Sequence, residues 1–113
     1  MENYFNIARK IAKRGQHSKY KMGAVVVRGG AVLSMAHNLG RETQHGVPNR
    51  GRHAEERALS PHRDFTGATM CVARLDAKIS KPCDRCMQKI KEAGIRKVIY
   101  VDNDGNITVQ NVE

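Results

Sequence analysis

The chain of 113 residues has room for one domain and hardly for two. With 40% hydrophobic and 27% charged residues it reads as globular, and no apolar run approaches the roughly 18 residues of a membrane span, so no membrane partner is expected. The formal net charge of +9 is uneven: residues 1–52 hold ten Lys/Arg against two acids, residues 53–113 ten against nine.

A basic bias of this kind points to an anionic partner, either nucleic acid or a phosphorylated small molecule. The plainer alternative is a solvated basic surface. Only Tyr4, Phe5, Tyr20, Phe65 and Tyr100 are aromatic, few for a platform that stacks single strands. The N-terminus lacks a basic-then-apolar signal layout, so a cytoplasmic protein is expected.

Residues 3–14 place Tyr4, Ile7, Ala8 and Ile11 on one helical face, with Asn3 at the start and Gly15 as the stop. Arg9, Lys10, Lys13 and Arg14 then decorate the outer side. Residues 23–28 and 31–36 are β-rich runs around Gly29-Gly30, which predicts a β-hairpin. Gly23 and Ala24 imply a close backbone approach, either to a substrate or metal site or to a helix packed across the strand.

From His37 to Arg52 the periodicity vanishes. This long loop carries Asn38, Arg41, His45, Arg50 and Arg52, and it leads directly into His53. A loop of such length in a compact domain is functional or disordered, and its position favours a wall of a substrate site. Asn38 and Arg52 are substrate-binding candidates; turn residue is the plainer role for Asn38.

Residues 53–60 predict a short helix with Glu55 and Glu56 in its first turn and Pro61 beyond its end. Residues 68–75 form a third strand, and 83–93 a helix introduced by Pro82 and stopped by Gly94. Residues 96–102 and 107–112 flank an Asn-Asp-Gly-Asn turn, so the last two strands should be antiparallel.

The chemistry lies in His53-Ala54-Glu55 and Pro82-Cys83-Asp84-Arg85-Cys86. In a reducing compartment, Cys83 and Cys86 read as metal or redox residues rather than a disulfide. His53, Cys83 and Cys86 are three ligands suited to Zn2+, leaving a fourth position open for water, as catalytic zinc sites do. Glu55 can reach that water without occupying the metal. Cys71, in an apolar run, reads as a small buried hydrophobe.

H-x-E followed by P-C-x-x-C is the signature of zinc nucleobase deaminases, and the chain resembles the cytidine/deoxycytidylate deaminase superfamily. Lys21-Met-Gly-Ala-Val-Val-Val is similar to the family's first strand, and Asn38 falls where relatives place a substrate-contacting Asn. Residues 81–100 resemble its zinc helix and following strand. The resemblance implies an α/β fold over residues 1–113: one three-layer α/β/α domain with a five-stranded mixed sheet of order 2-1-3-4-5. The short turn before the fifth strand departs from relatives that insert a helix there, and is closer to the cytidine deaminase branch.

The resemblance also implies hydrolytic deamination and a homo-oligomer. Glu55 would be the catalytic proton carrier, and the Ala54 backbone amide would contact the base. The expected substrate is a free cytosine nucleoside or nucleotide. One alternative is cytosine or adenine in single-stranded DNA or RNA, reached through the basic N-terminal half. Another is a non-catalytic zinc module that binds nucleic acid with Cys71 as fourth ligand.

Overall fold

The computed structural model describes residues 2–13, 21–37, 54–59, 63–75 and 79–112. Its elements are α1 (Glu2–Ala12), β1 (Met22–Arg28), β2 (Ala31–His37), α2 (Ala54–Ala58), β3 (Thr69–Arg74), α3 (Asp84–Glu92), β4 (Lys97–Val101) and β5 (Ile107–Asn111). All five expected strands are present, and their order is β2-β1-β3-β4-β5. The loop 39–52, Asn38, Arg52 and His53 lie outside the described residues.

The sheet is mixed: β1 pairs antiparallel with β2 and β3, β3 parallel with β4, and β4 antiparallel with β5. The β1–β2 turn uses Gly29 and Gly30 at φ +58° and +82°. Successive positive φ values are what a tight hairpin twisted like its strands requires, and glycine adopts them at no steric cost.

Side chains alternate across the sheet and build two cores. On one face Val25, Val27, Cys71, Ala73, Ile99 and Val101 pack against Phe5 and Ala8 of α1. On the other, Ala24, Val26, Met70, Val72, Val98 and Tyr100 pack against Ala54 and Ala58 of α2 and Ile90 of α3. This is the three-layer arrangement the sequence implied. It follows from period-two strands whose inner members, β1, β3 and β4, are apolar on both faces.

Gly23 belongs to the α1 face. A Cβ there would collide with the carbonyl oxygen of Ala8 and come within 2.7 Å of the Ala12 nitrogen. Of the two approaches open in the sequence, helix packing accounts for Gly23. Ala24, one residue on, faces the α2–α3 side and is fully buried there.

One end of the sheet matters for function. Because β1 runs against β3, its start at Met22 pairs with Arg74 at the end of β3, and Gly23 pairs with His37 at the end of β2. The chain leaves β2 and β3 at this end, and its next helices are α2 and α3. In open α/β sheets the carboxyl ends of strands are where ligands bind.

Candidate active site

Glu55 and Glu56 occupy the first turn of α2, where the helix dipole favours acids. Glu55 is only 3% exposed, on the side of the sheet whose core is built from hydrophobic residues. A carboxylate is rarely buried without a partner or a task. The helix is held to the sheet by polar contacts. Ser34 Oγ donates to the Ala58 carbonyl at 2.7 Å, and an Arg57 guanidinium nitrogen donates to the His37 carbonyl at 2.7 Å.

Cys83 is the N-cap of α3, with extended backbone (φ −69°, ψ 166°) and no side-chain capping bond. Its carbonyl accepts the first helical bond, from the Met87 amide at 2.8 Å. Cys86 lies one turn inward and is fully buried, whereas Cys83 is exposed. The two thiols are within hydrogen-bonding reach of each other. The sequence expected both in the helix; the cap geometry leaves Cys83 just outside it.

Burial pushes the Cys86 thiol well above its ordinary range, and the nearby Glu55 charge, the Cys83 contact and Glu56 add to that rise. Cys86 Sγ faces Glu56 Oε1 at 4.0 Å. The buried Cys86 beside Glu55 and Glu56, with the exposed Cys83 next to it, forms a donor set that a thiophilic dication fits. Cys83 and Cys86 therefore suit a zinc ion. Among the described residues no group of three or more His, Cys, Asp or Glu is arranged to hold a metal. The third expected ligand, His53, precedes α2 and lies outside them.

Cys71 is excluded from this group by strand parity. It is fully buried in the α1-side core, with its thiol pushed up to about 11 by burial, and the sheet separates it from α3. A closed four-ligand site through Cys71 has no support in this geometry.

Two contributors were not visible in the sequence. Glu56 bridges the helices, accepting from Lys89 Nζ at 2.7 Å and from an Arg85 guanidinium nitrogen at 3.3 Å. The i, i+4 spacing of Arg85 and Lys89 signals a shared face, but not which acid meets it. Ser80 is 1% exposed between β3 and β4. Its Oγ donates to the Val72 carbonyl at 2.7 Å and accepts from the Val101 amide at 2.9 Å. Its own amide donates to the Val101 carbonyl at 2.9 Å. The chain is thus pinned at Ser80, two residues before Pro82, itself buried. A lone serine carries no pattern that announces such a wedge.

Known proteins agree with this architecture. Residues 1–102 match the family described as the cytidine and deoxycytidylate deaminase zinc-binding region. The dCMP deaminase of cyanophage S-TIM5, in complex with dCMP and dUMP, is 26% identical with a TM-score of 0.72 over 92% of this chain and 85% of its own. The apo form of the same enzyme gives 26% identity and 0.68 over 86% and 78%. A cytidine deaminase from Burkholderia pseudomallei shares the fold at 20% identity, with a TM-score of 0.73 over 98% and 91%. No curated protein matches the chain. The family match over residues 1–102 and a sheet ordered β2-β1-β3-β4-β5 carry one conclusion: this chain belongs to the cytidine and deoxycytidylate deaminase family.

Proposed function

We propose that the protein is a zinc-dependent hydrolytic deaminase that converts the cytosine of a free (deoxy)cytidine nucleoside or nucleotide to uracil and ammonia. The observation that supports this reading most directly is the buried Glu55 carboxylate beside the Cys83–Cys86 thiol pair, at the starts of two adjacent helices. The S-TIM5 enzyme, crystallised with dCMP and dUMP, supports a nucleotide as substrate.

His53, Cys83 and Cys86 would hold the zinc ion. When bound, it supplies Lewis acidity that makes water a usable nucleophile near neutral pH. The remaining chemistry belongs to the protein. Glu55 accepts a proton from the attacking water as the oxygen–C4 bond forms, and delivers it to the ring nitrogen. It then takes the proton of the new C4 hydroxyl and passes it to the exocyclic amine, and the C4–N bond breaks as the C4 carbonyl forms and ammonia leaves. Burial of Glu55 keeps bulk water from competing for that proton. The backbone amide of Ala54, at the amino end of α2, is the candidate contact to the base, with Asn38 and Arg52 as further candidates. Ala24 lies beneath α2 in the same core and supports that helix.

The test is a competition assay on zinc-loaded protein. Cytidine, deoxycytidine, their monophosphates, adenosine and single-stranded oligonucleotides are offered together and read by mass spectrometry. Conversion of a monomeric cytosine compound, lost in Glu55→Gln with zinc and fold retained, is expected. Undiminished turnover in Glu55→Gln would overturn the mechanism. Conversion only within oligonucleotides would replace the substrate with a polynucleotide.

A further inference from the structure

We propose that the outer side of α1 carries a phosphate-binding site, distinct from the residues around Glu55 and Cys86. Asn6, Arg9, Lys10 and Lys13 line a cavity of about 270 Å³ together with Leu75. Their spacing of i, i+3, i+4 and i+7 sets all four on one face of the helix. The opposite face buries Phe5, Ala8, Ile11 and Ala12.

Helix-end electrostatics explains part of this arrangement, since cations in a last turn suit the dipole and Arg9 and Lys10 lie there. It does not explain three like charges converging on one cavity, where they repel each other at this spacing. The ion pairs among the described residues engage Arg85 and Lys89, and none involves Arg9, Lys10 or Lys13. An anion in the cavity relieves the repulsion.

The donors narrow the ligand. Three cations and an amide line a site open to solvent, a donor set that suits an anionic phosphoryl group. Arg9 presents a planar fork that matches phosphate oxygens, the two lysines act as point charges, and the Asn6 amide adds a neutral donor. Leu75 supplies an apolar wall. Its amide donates to the Lys21 carbonyl at 2.9 Å, which ties the wall to the end of the sheet where α2 and α3 begin. The site therefore sits across the sheet from Glu55, at the same end. It uses none of the residues around Glu55 and Cys86 and stands or falls independently of the deaminase reading.

The phosphate can come from a small phosphorylated molecule or from the backbone of a single strand, and the chemistry is shared. The experiment titrates the full chain with pyrophosphate by calorimetry and with a labelled oligothymidylate by anisotropy, at low and raised salt. Lys10→Ala/Lys13→Ala removes two cavity charges while leaving the packing face of α1 intact. Lys91→Ala/Lys97→Ala removes two charges elsewhere, and circular dichroism checks that both variants fold.

Saturable binding is expected, weakened at least about tenfold by the α1 pair and less than about twofold by the control pair, as loss of charge-assisted contacts predicts. Pyrophosphate binding as tight as that of the oligonucleotide identifies a small ligand. Tighter oligonucleotide binding that falls steeply with salt identifies a strand. No saturable binding of either probe, or equal losses in the two double variants, overturns the site.

Discussion

Ser80→Ala tests how the metal-ligand segment is anchored. The hydroxyl donates at 2.7 Å and accepts at 2.9 Å, both within the buried seam of β3 and β4. Alanine fills nearly the same space, so the cost is polar rather than a cavity. Each lost bond is worth about 1 kcal/mol net, and each buried group left without a partner costs about 1–3 kcal/mol. The remaining Ser80 amide bond to Val101 keeps the segment docked, so the estimate is about 2–4 kcal/mol in all. In urea that moves the unfolding midpoint by on the order of 1–3 M at unchanged slope. Zinc affinity gives a second readout, because Pro82 and Cys83 follow directly. A loss of roughly tenfold is expected, typical of removing a group that orients a ligand. Val98→Ala, a cavity in the same core away from that segment, should lose stability but keep zinc affinity. A stability change in Ser80→Ala below about 0.5 kcal/mol would refute the wedge. Equal zinc loss in both variants would refute the anchoring.

Gly23→Ala should destabilise by about 1–3 kcal/mol or more, since the added methyl meets helix backbone rather than a movable side chain; thermal unfolding within a degree of wild type would contradict that packing. Cys83 alone should react quickly with a thiol reagent in metal-free protein, and zinc should protect it; Cys71 and Cys86 should wait for unfolding. Cys71→Ala should leave zinc stoichiometry unchanged, and a fall in stoichiometry would place Cys71 near the metal. Asp102 is held below the ordinary carboxylate range, first by the Thr108 hydroxyl, then by the Asn106 and Asp104 amides. A depressed folded pKa contributes stability above the unfolded value of about 3.9, and that contribution disappears as pH falls through the folded value. Protection of the β4–β5 hairpin amides relative to their intrinsic exchange rates should therefore fall in acid, and Asp102→Asn should remove that dependence; an unchanged acid response in Asp102→Asn would rule it out.

What the sequence discloses depends on how far apart the cooperating residues lie. The Asp-Gly signal at 104–105 and the Gly29-Gly30 pair define hairpins because a turn is written in adjacent residues. The C-x-x-C pair is legible for the same reason: a helix start folds a three-residue spacing into proximity. Gly23 shows the limit. Its need for close approach was legible, but its neighbour was not, because only strand parity turns Gly23 toward Ala8 and Ala24 toward Ala54. The same parity sends Cys71 to the α1 side, which no count of cysteines reveals. Glu56 meets Lys89 across 33 residues and Ser80 meets Val101 across 21, so neither contact leaves a local trace. These distant contacts join β3, β4, α2 and α3 around the candidate ligands. Local motifs therefore name the donors of a site such as this one, while long-range polar contacts hold the donors in register. Substitution at Ser80 or Glu56 should accordingly disturb function while every recognisable motif remains intact.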